Sequence, residues 1–143
     1  MLGMPLVDLE TIPQVPLDFI NADHREEARL LNELADAIAD HRAGKVGPEA
    51  VVATFQVLYQ HTEEHFGRED QAMQRSGFPP YPMHHGEHVR VLAELAAEGR
   101  RFAETGDAVR LDTYVTKVVP SWFVNHIQSM DLITARFVSM QAG

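Results

Sequence analysis

The stretch VVATFQVLYQHTEEHFGREDQA, residues 51–72, decides the fold of this chain. Every third or fourth residue belongs to one stripe, the spacing of one face of an α-helix. The stripe consists of Val51, Phe55, Leu58, Thr62, His65, Glu69 and Ala72. The stretch therefore predicts an amphipathic helix that carries an imidazole and a carboxylate among the apolar residues of its buried face.

Similar stripes on both sides of this stretch predict three more helices. Asp18 is the expected N-cap of the first helix, and Pro48 suits the first turn of the second. Pro120 lies inside the fourth helical region and removes one backbone donor, so we expect a kink or a fresh helix start there. The predicted helices cover about 18–42, 48–76, 81–104 and the region after Asp107.

Four amphipathic helices with short connections predict an all-α fold, an antiparallel up-down-up-down four-helix bundle. The first residues contain Pro5, Pro13 and Pro16 without sustained periodicity. We therefore expect residues 1–18 to form an extended N-terminal arm and residues 19–143 to form the bundle domain.

Composition narrows the classes of function. The chain has 143 residues, which suits one domain with a real core. It has no cysteine, which excludes disulfides, thiolate zinc sites and iron–sulfur clusters. The net charge of −9 without a Lys/Arg cluster argues against nucleic acid and anionic membranes as partners. No segment approaches the ~20 apolar residues of a membrane helix, so we expect no membrane insertion and a cytoplasmic location.

Ligand-type residues occupy stripe positions in all four predicted helices. They are five histidines and two acids: His24, His65, Glu69, His84, His88, His126 and Asp131. A single inward histidine is more often an ordinary core residue than a ligand. Burying several unpaired ionisable groups, however, would cost several kcal/mol each. A metal centre removes that cost, and these donors suit iron, manganese, zinc or copper.

One spacing in this set needs a local adjustment. His126 and Asp131 are five residues apart, so in a regular α-helix they would differ by about 140° in direction. Asp131 must either reach the centre from the flank of its helix or be turned inward by a local bulge.

Other residues are expected to surround the centre. Phe66, Met73, Trp122 and Phe123 should form its apolar walls, which would control water access. His61 lies one turn before His65 and is interpreted as a second-shell or packing residue rather than a sixth histidine ligand.

Three segments together resemble the hemerythrin family. They are His65-Phe66-x-x-Glu69 with Met73, His84-x-x-x-His88, and Trp122-x-Val124-Asn125-His126-Ile127-x-x-x-Asp131. The resemblance runs from about Phe19 to Phe137 and is greatest to the free-standing bacterial members, the bacteriohemerythrins. Asp70 departs from the pattern, because a second Glu is common at that position.

This resemblance implies two iron ions joined by an oxo or hydroxo bridge. His84, His88 and His126 would bind one iron, His24 and His65 would bind the other, and Glu69 and Asp131 would bridge them. The second iron would keep one position open, where dioxygen binds reversibly without turnover. The resemblance thus implies an oxygen-binding protein for storage, delivery or sensing rather than an enzyme.

Other functions compete with this one. Ferritin-like di-iron enzymes rely on Glu-x-x-His pairs, and no histidine here has a Glu three residues before it. A hemerythrin-type centre can also serve peroxide or nitric oxide chemistry, for which His61 is the only hint. A regulatory module acting on a separate, unidentified protein partner stays open. The ligand count disfavours a zinc-binding or metal-free structural bundle.

Overall fold

The computed structural model describes residues 5–142 as four long helical regions. Residues 1–4 of the predicted arm and Gly143 of the predicted bundle domain lie outside the described residues. The first three helices are α1 (Asp18–Arg42), α2 (Pro48–Ser76) and α3 (Tyr81–Thr105). The fourth, α4, has three α-helical segments, Ala108–Thr113, Val119–His126 and Leu132–Ala142, joined by two π-turns, Tyr114–Val118 and Ile127–Asp131.

Short connections allow consecutive helices to pack antiparallel. Gly77 and Gly106 both have φ of 70° and end α2 and α3 in the left-handed conformation, which suits glycine. Asp107 then caps α4 by accepting from the backbone N–H of Arg110 at 3.0 Å. The predicted all-α, antiparallel up-down-up-down four-helix bundle is confirmed.

The sequence predicted the starts of two helices, at Pro48 and at Asp18, and the structure confirms only the first. Pro48 is the first residue of α2, as expected. The N-cap of α1, however, is Leu17, and Asp18 is already inside the helix. The Asp18 prediction was therefore wrong by one position, although an acid in the first turn still suits the helix dipole.

Residues 5–17 lie along the bundle with one short 3₁₀ turn, Leu9–Thr11. Two asparagines of α1 fasten this segment. The Asn32 amide accepts from the N–H of Val7 at 2.7 Å and donates to its carbonyl at 2.9 Å. Asn21 makes the same pair of bonds with Val15, at 2.9 and 2.7 Å.

The apolar core has two parts. A larger cluster fills the end of the bundle where α1 ends and α2 begins, and includes Leu34, Ile38, Leu58 and Leu95. A smaller cluster joins residues 12–28 to α4 through Phe123 and Ile127.

Within residues 5–142, none of the helices combines the length and the apolar character that a membrane span needs.

Candidate metal centre

Helices α1 and α2 bring one group of polar side chains into the interior. His24, His65 and Glu69 are each at most 3% exposed. Nε2 of His65 lies 2.7 Å from Oε2 of Glu69, and Nε2 of His24 lies 3.9 Å from the same oxygen. Because His65 and Glu69 are one turn apart on α2, regular helix geometry alone places them side by side.

Helices α3 and α4 supply a second group, which contains His84, His88 and His126. Nε2 of His84 lies 3.2 Å from Nε2 of His126. The ring of His88 lies 4.5 Å from that of His84, centroid to centroid. All three imidazoles are buried.

Two carboxylates span the two histidine groups. Glu69 directs Oε2 toward His65, while its Oε1 lies 3.2 Å from Nε2 of His88. Asp131 directs Oδ2 toward Nε2 of His24 at 2.8 Å, while its Oδ1 lies 3.1 Å from Nε2 of His84. Each carboxylate thus presents one oxygen to each group, which is the arrangement that bridging two ions requires.

A π-turn places Asp131 in this cluster. Ile127–Asp131 is wound more loosely than an α-helix, with i→i+5 hydrogen bonds. This winding brings residues five apart onto nearly one face, so His126 and Asp131 both point inward. Of the two geometries expected for this pair, the local bulge is the one observed.

The donor atoms fit metal ions better than they fit one another. Among the described residues, Glu69 Oε1, His88 Nε2 and Asp131 Oδ1 are buried without a hydrogen-bond partner, although they face the cluster. Ligands about 2.1 Å from one six-coordinate ion would lie about 3 Å apart, close to the spacing of the second group. Buried polar groups are seldom left unpaired, so cations are the natural partners of these atoms.

The imidazoles of the cluster lower the pKa of both buried carboxylates. Burial and the neighbouring Asp131 charge disfavour ionised Glu69, yet the imidazoles of His65 and His88 outweigh them and lower its pKa. Burial likewise opposes ionisation of Asp131, but the neighbouring imidazoles of His126, His24 and His84 hold its pKa well below the usual value. Both carboxylates are therefore anionic at neutral pH, as metal ligands must be.

The chain matches the Hemerythrin HHE cation binding domain family over residues 15–137. The chain belongs to the hemerythrin family. It is 33% identical over 121 residues to the bacteriohemerythrin of Ralstonia nicotianae, covering 85% of this chain and 80% of that protein. It is 26% identical over 113 residues to the bacteriohemerythrin of Methylococcus capsulatus, covering 79% and 81%.

Solved structures show the same fold. A crystal structure of a mutant hemerythrin superposes with a TM-score of 0.81, covering 95% of this chain and 99% of that chain at 22% identity. The predicted hemerythrin resemblance is thus confirmed for family and fold. The seven residues predicted to bind metal all lie in the cluster, and their role as ligands stays a prediction.

The outer imidazole nitrogens of this hemerythrin-family chain have partners that the sequence pattern did not predict. Nδ1 of His84 lies 2.8 Å from the hydroxyl of Thr134, and Nδ1 of His88 lies 2.9 Å from Oδ1 of Asp70. Nδ1 of His65 lies 3.4 Å from Oε1 of Glu27. Such partners fix which ring nitrogen faces a metal. Glu27 could have been found, because it lies on the inward stripe of α1; Thr134 carries no comparable signal.

Aromatic rings lie against the imidazoles of the cluster. Phe66 stacks on His88 with ring centroids 4.0 Å apart, and Trp122 stacks on His126 at 4.5 Å. Phe123 meets His24 edge-on at 5.7 Å. Met73 is fully buried, and its sulfur lies 3.9 Å from the hydroxyl of Thr134.

His61 lies outside the main cluster. Its Nε2 is 3.2 Å from the backbone carbonyl of Asp23 and 3.4 Å from Oε1 of Glu27. Glu27 also contacts His65, and the rings of His61 and His65 lie 5.9 Å apart, centroid to centroid. This position fits the second-shell interpretation better than that of a sixth histidine ligand.

Proposed function

We propose that this hemerythrin-family protein binds dioxygen reversibly at a non-haem di-iron centre, for storage, delivery or sensing. The observation that carries this proposal is that the two shared carboxylates have three histidines on one side and two on the other. His84, His88 and His126 form one group, whereas His24 and His65 form the other. With Glu69 and Asp131 common to both, one ion of the pair would have one protein donor fewer and could accept a small ligand.

The donor set determines which residues would hold each ion. Three imidazoles from α3 and α4 would hold the first, and one imidazole each from α1 and α2 would hold the second. When bound, a ferrous pair supplies the electrons that dioxygen takes up. The protein holds the two carboxylates anionic and directs Nε2 of the imidazoles inward.

The apolar side chains around the candidate metal centre favour reversible binding of dioxygen over its reduction. Phe123 covers His24, and Phe66 is 2% exposed between His65 and His88. Apolar walls of this kind limit the access of water and protons that would promote oxidation of the metal. We therefore propose a binding protein rather than an enzyme.

A second candidate function is peroxide or nitric oxide chemistry at the same centre. It is favoured by the path from the partly exposed His61 through Glu27 to His65, with both contacts to Glu27 Oε1 at 3.4 Å. This path leads from a partly exposed side chain to a ligand candidate, and it offers a route for a proton.

Metal content and optical spectra test both candidates. Protein purified in air should contain about two irons per chain, and the reduced protein should give a coloured adduct with oxygen that is reversed under vacuum. Iron content near zero would overturn the di-iron centre. Decay of the adduct to the ferric form within seconds would reject carriage, and slower decay in His61→Leu would then assign the proton route to His61.

A further inference from the structure

A cavity of about 130 Å³ lies inside the bundle beside the candidate metal centre. All four helices contribute to its lining, which is mostly apolar and includes Leu31, Leu58, Val91, Leu95 and Val118. The cavity is partly open to solvent, since Val118 in its lining is 47% exposed.

A buried carboxylate faces this cavity. The Glu27 side chain is 9% exposed and accepts from the hydroxyl of Thr62 at 2.5 Å. Nδ1 of His65 and Nε2 of His61 are each 3.4 Å from its Oε1, so these two hydrogen bonds are long and weak. A carboxylate has about four acceptor positions. Glu27 therefore has capacity for a further donor inside the cavity.

The first π-turn of α4 lies at the same place. Tyr114 and Val118, the two ends of that turn, both line the cavity, as does the next residue, Val119. This turn supplies none of the seven ligand candidates. Pro120, which lies just after it, has no backbone donor, so regular α-helical bonding is interrupted here. The irregular turn places both its ends in the lining of the cavity, and π-turns in helices often occur at functional sites.

We propose that this cavity is a second ligand site, which binds a compact, neutral, mostly apolar molecule with one hydroxyl group, about the size of phenol. An apolar cavity of about 150 Å³ engineered into another protein binds benzene, so the volume suits one aromatic ring. Glu27 would accept the hydroxyl proton. The lining also contains Arg90 and Glu94, which pair with each other at 3.2 Å. The buried carboxylate of Glu27 therefore disfavours an anion, and the apolar walls disfavour a cation.

Calorimetric titration of the oxygen-free, metal-containing protein with phenol, benzene and benzoate tests this site separately from dioxygen binding. Phenol should bind one per chain and about tenfold more tightly than benzene, as one charged hydrogen bond allows. Benzoate should not bind. In Glu27→Leu, phenol affinity should fall to that of benzene while benzene affinity is kept.

Filling the cavity provides the matched test. Val91→Phe should abolish binding of phenol and benzene, whereas Val109→Phe, at a 62% exposed position outside the lining, should leave both unchanged. If Val91→Phe fails to fold, Val118→Trp at the solvent side, where Val118 is 47% exposed, replaces it. Absence of phenol binding, equal affinity for phenol and benzene, tighter binding of benzoate, or full binding in the filled variants would each overturn the proposal.

Discussion

Oδ1 of Asp70 accepts the outer ring proton of His88 across 2.9 Å, while Oδ2 lies 3.0 Å from Nδ1 of His85. Burial opposes ionisation of Asp70, but the hydrogen bonds with His88 and His85 lower its pKa. The buried ring of His88 thereby turns Nε2 toward Glu69. His85 has a side chain that is 45% exposed, and it also holds this carboxylate.

Asp70→Ala should weaken metal binding about 10- to 100-fold, because His88 loses the acceptor that fixes its ring. Competition with a chelator at fixed pH measures this change in affinity. Asp70→Glu should recover most of the loss, since it restores a carboxylate. His85→Gln is the control: an equal loss there would place the effect at the surface rather than at His88.

Glu69→Ala should reduce the iron content below two per chain, because one carboxylate no longer spans the two histidine groups. Metal analysis after purification and after reconstitution measures the occupancy. Glu64→Ala, at an exposed position of the same helix, is the matched control and should keep full occupancy. Unchanged iron in Glu69→Ala would contradict the bridging assignment.

Glu87 should stabilise the metal-free bundle in a pH-dependent way. A hydrogen bond from Arg90 chiefly lowers its pKa to about 2; burial opposes this shift, and the indole N–H of Trp122 adds to it. Because the folded-state pKa lies below its ordinary value of 4.5, the stabilisation is present above about pH 4.5 and is lost as pH falls toward 2.

Glu87→Gln should therefore lower the free energy of unfolding by about 1 kcal/mol near neutral pH, by about half of that or less near pH 3, and by very little near pH 2. Fluorescence of Trp122, the only tryptophan, reports unfolding directly. Glu104→Gln, at an exposed position of α3, should show no such pH-dependent difference. A constant difference between Glu87→Gln and wild type across this range would contradict the assignment.

Gly99 should resist replacement by alanine. A Cβ at this position would lie 2.7 Å from Cε1 of Phe55, whose ring is buried. We expect Gly99→Ala to cost about 1–3 kcal/mol through overpacking, partly offset by higher helix propensity. Gly67→Ala and Gly86→Ala, where a Cβ meets nothing within 4 Å, should instead gain up to about 1 kcal/mol. Thermal unfolding of the three variants measures the contrast.

The fold and the cluster were predictable because they depend on helix periodicity. His65 with Glu69 and His84 with His88 are one turn apart, so any regular helix places each pair on one face. The stripe on α1 also contains Glu27, which could have been predicted to be buried. Its contact with His65 depends on the packing of α1 against α2, which periodicity does not determine.

Helix periodicity does not predict irregular winding or the contacts between helices. The spacing of His126 and Asp131 required a local adjustment, but it did not decide between a flanking approach and a bulge. Pro120 indicated a break in the fourth helix, and the structure has a π-turn, Tyr114–Val118, just before it. Asp70 was noted as a departure from the family pattern, yet its bond to His88 depends on how α3 lies against α2.

The loose turn at Ile127–Asp131 contains one residue more than regular winding would use for the same rotation. Deleting one residue between His126 and Asp131 would leave them four apart, a spacing that a regular α-helix places on one face. Every later residue, including Thr134 beside His84, would then keep its direction relative to the bundle axis. The segment can therefore lose one codon and return to α-helical winding, whereas the loss of two codons would turn Thr134 away from His84.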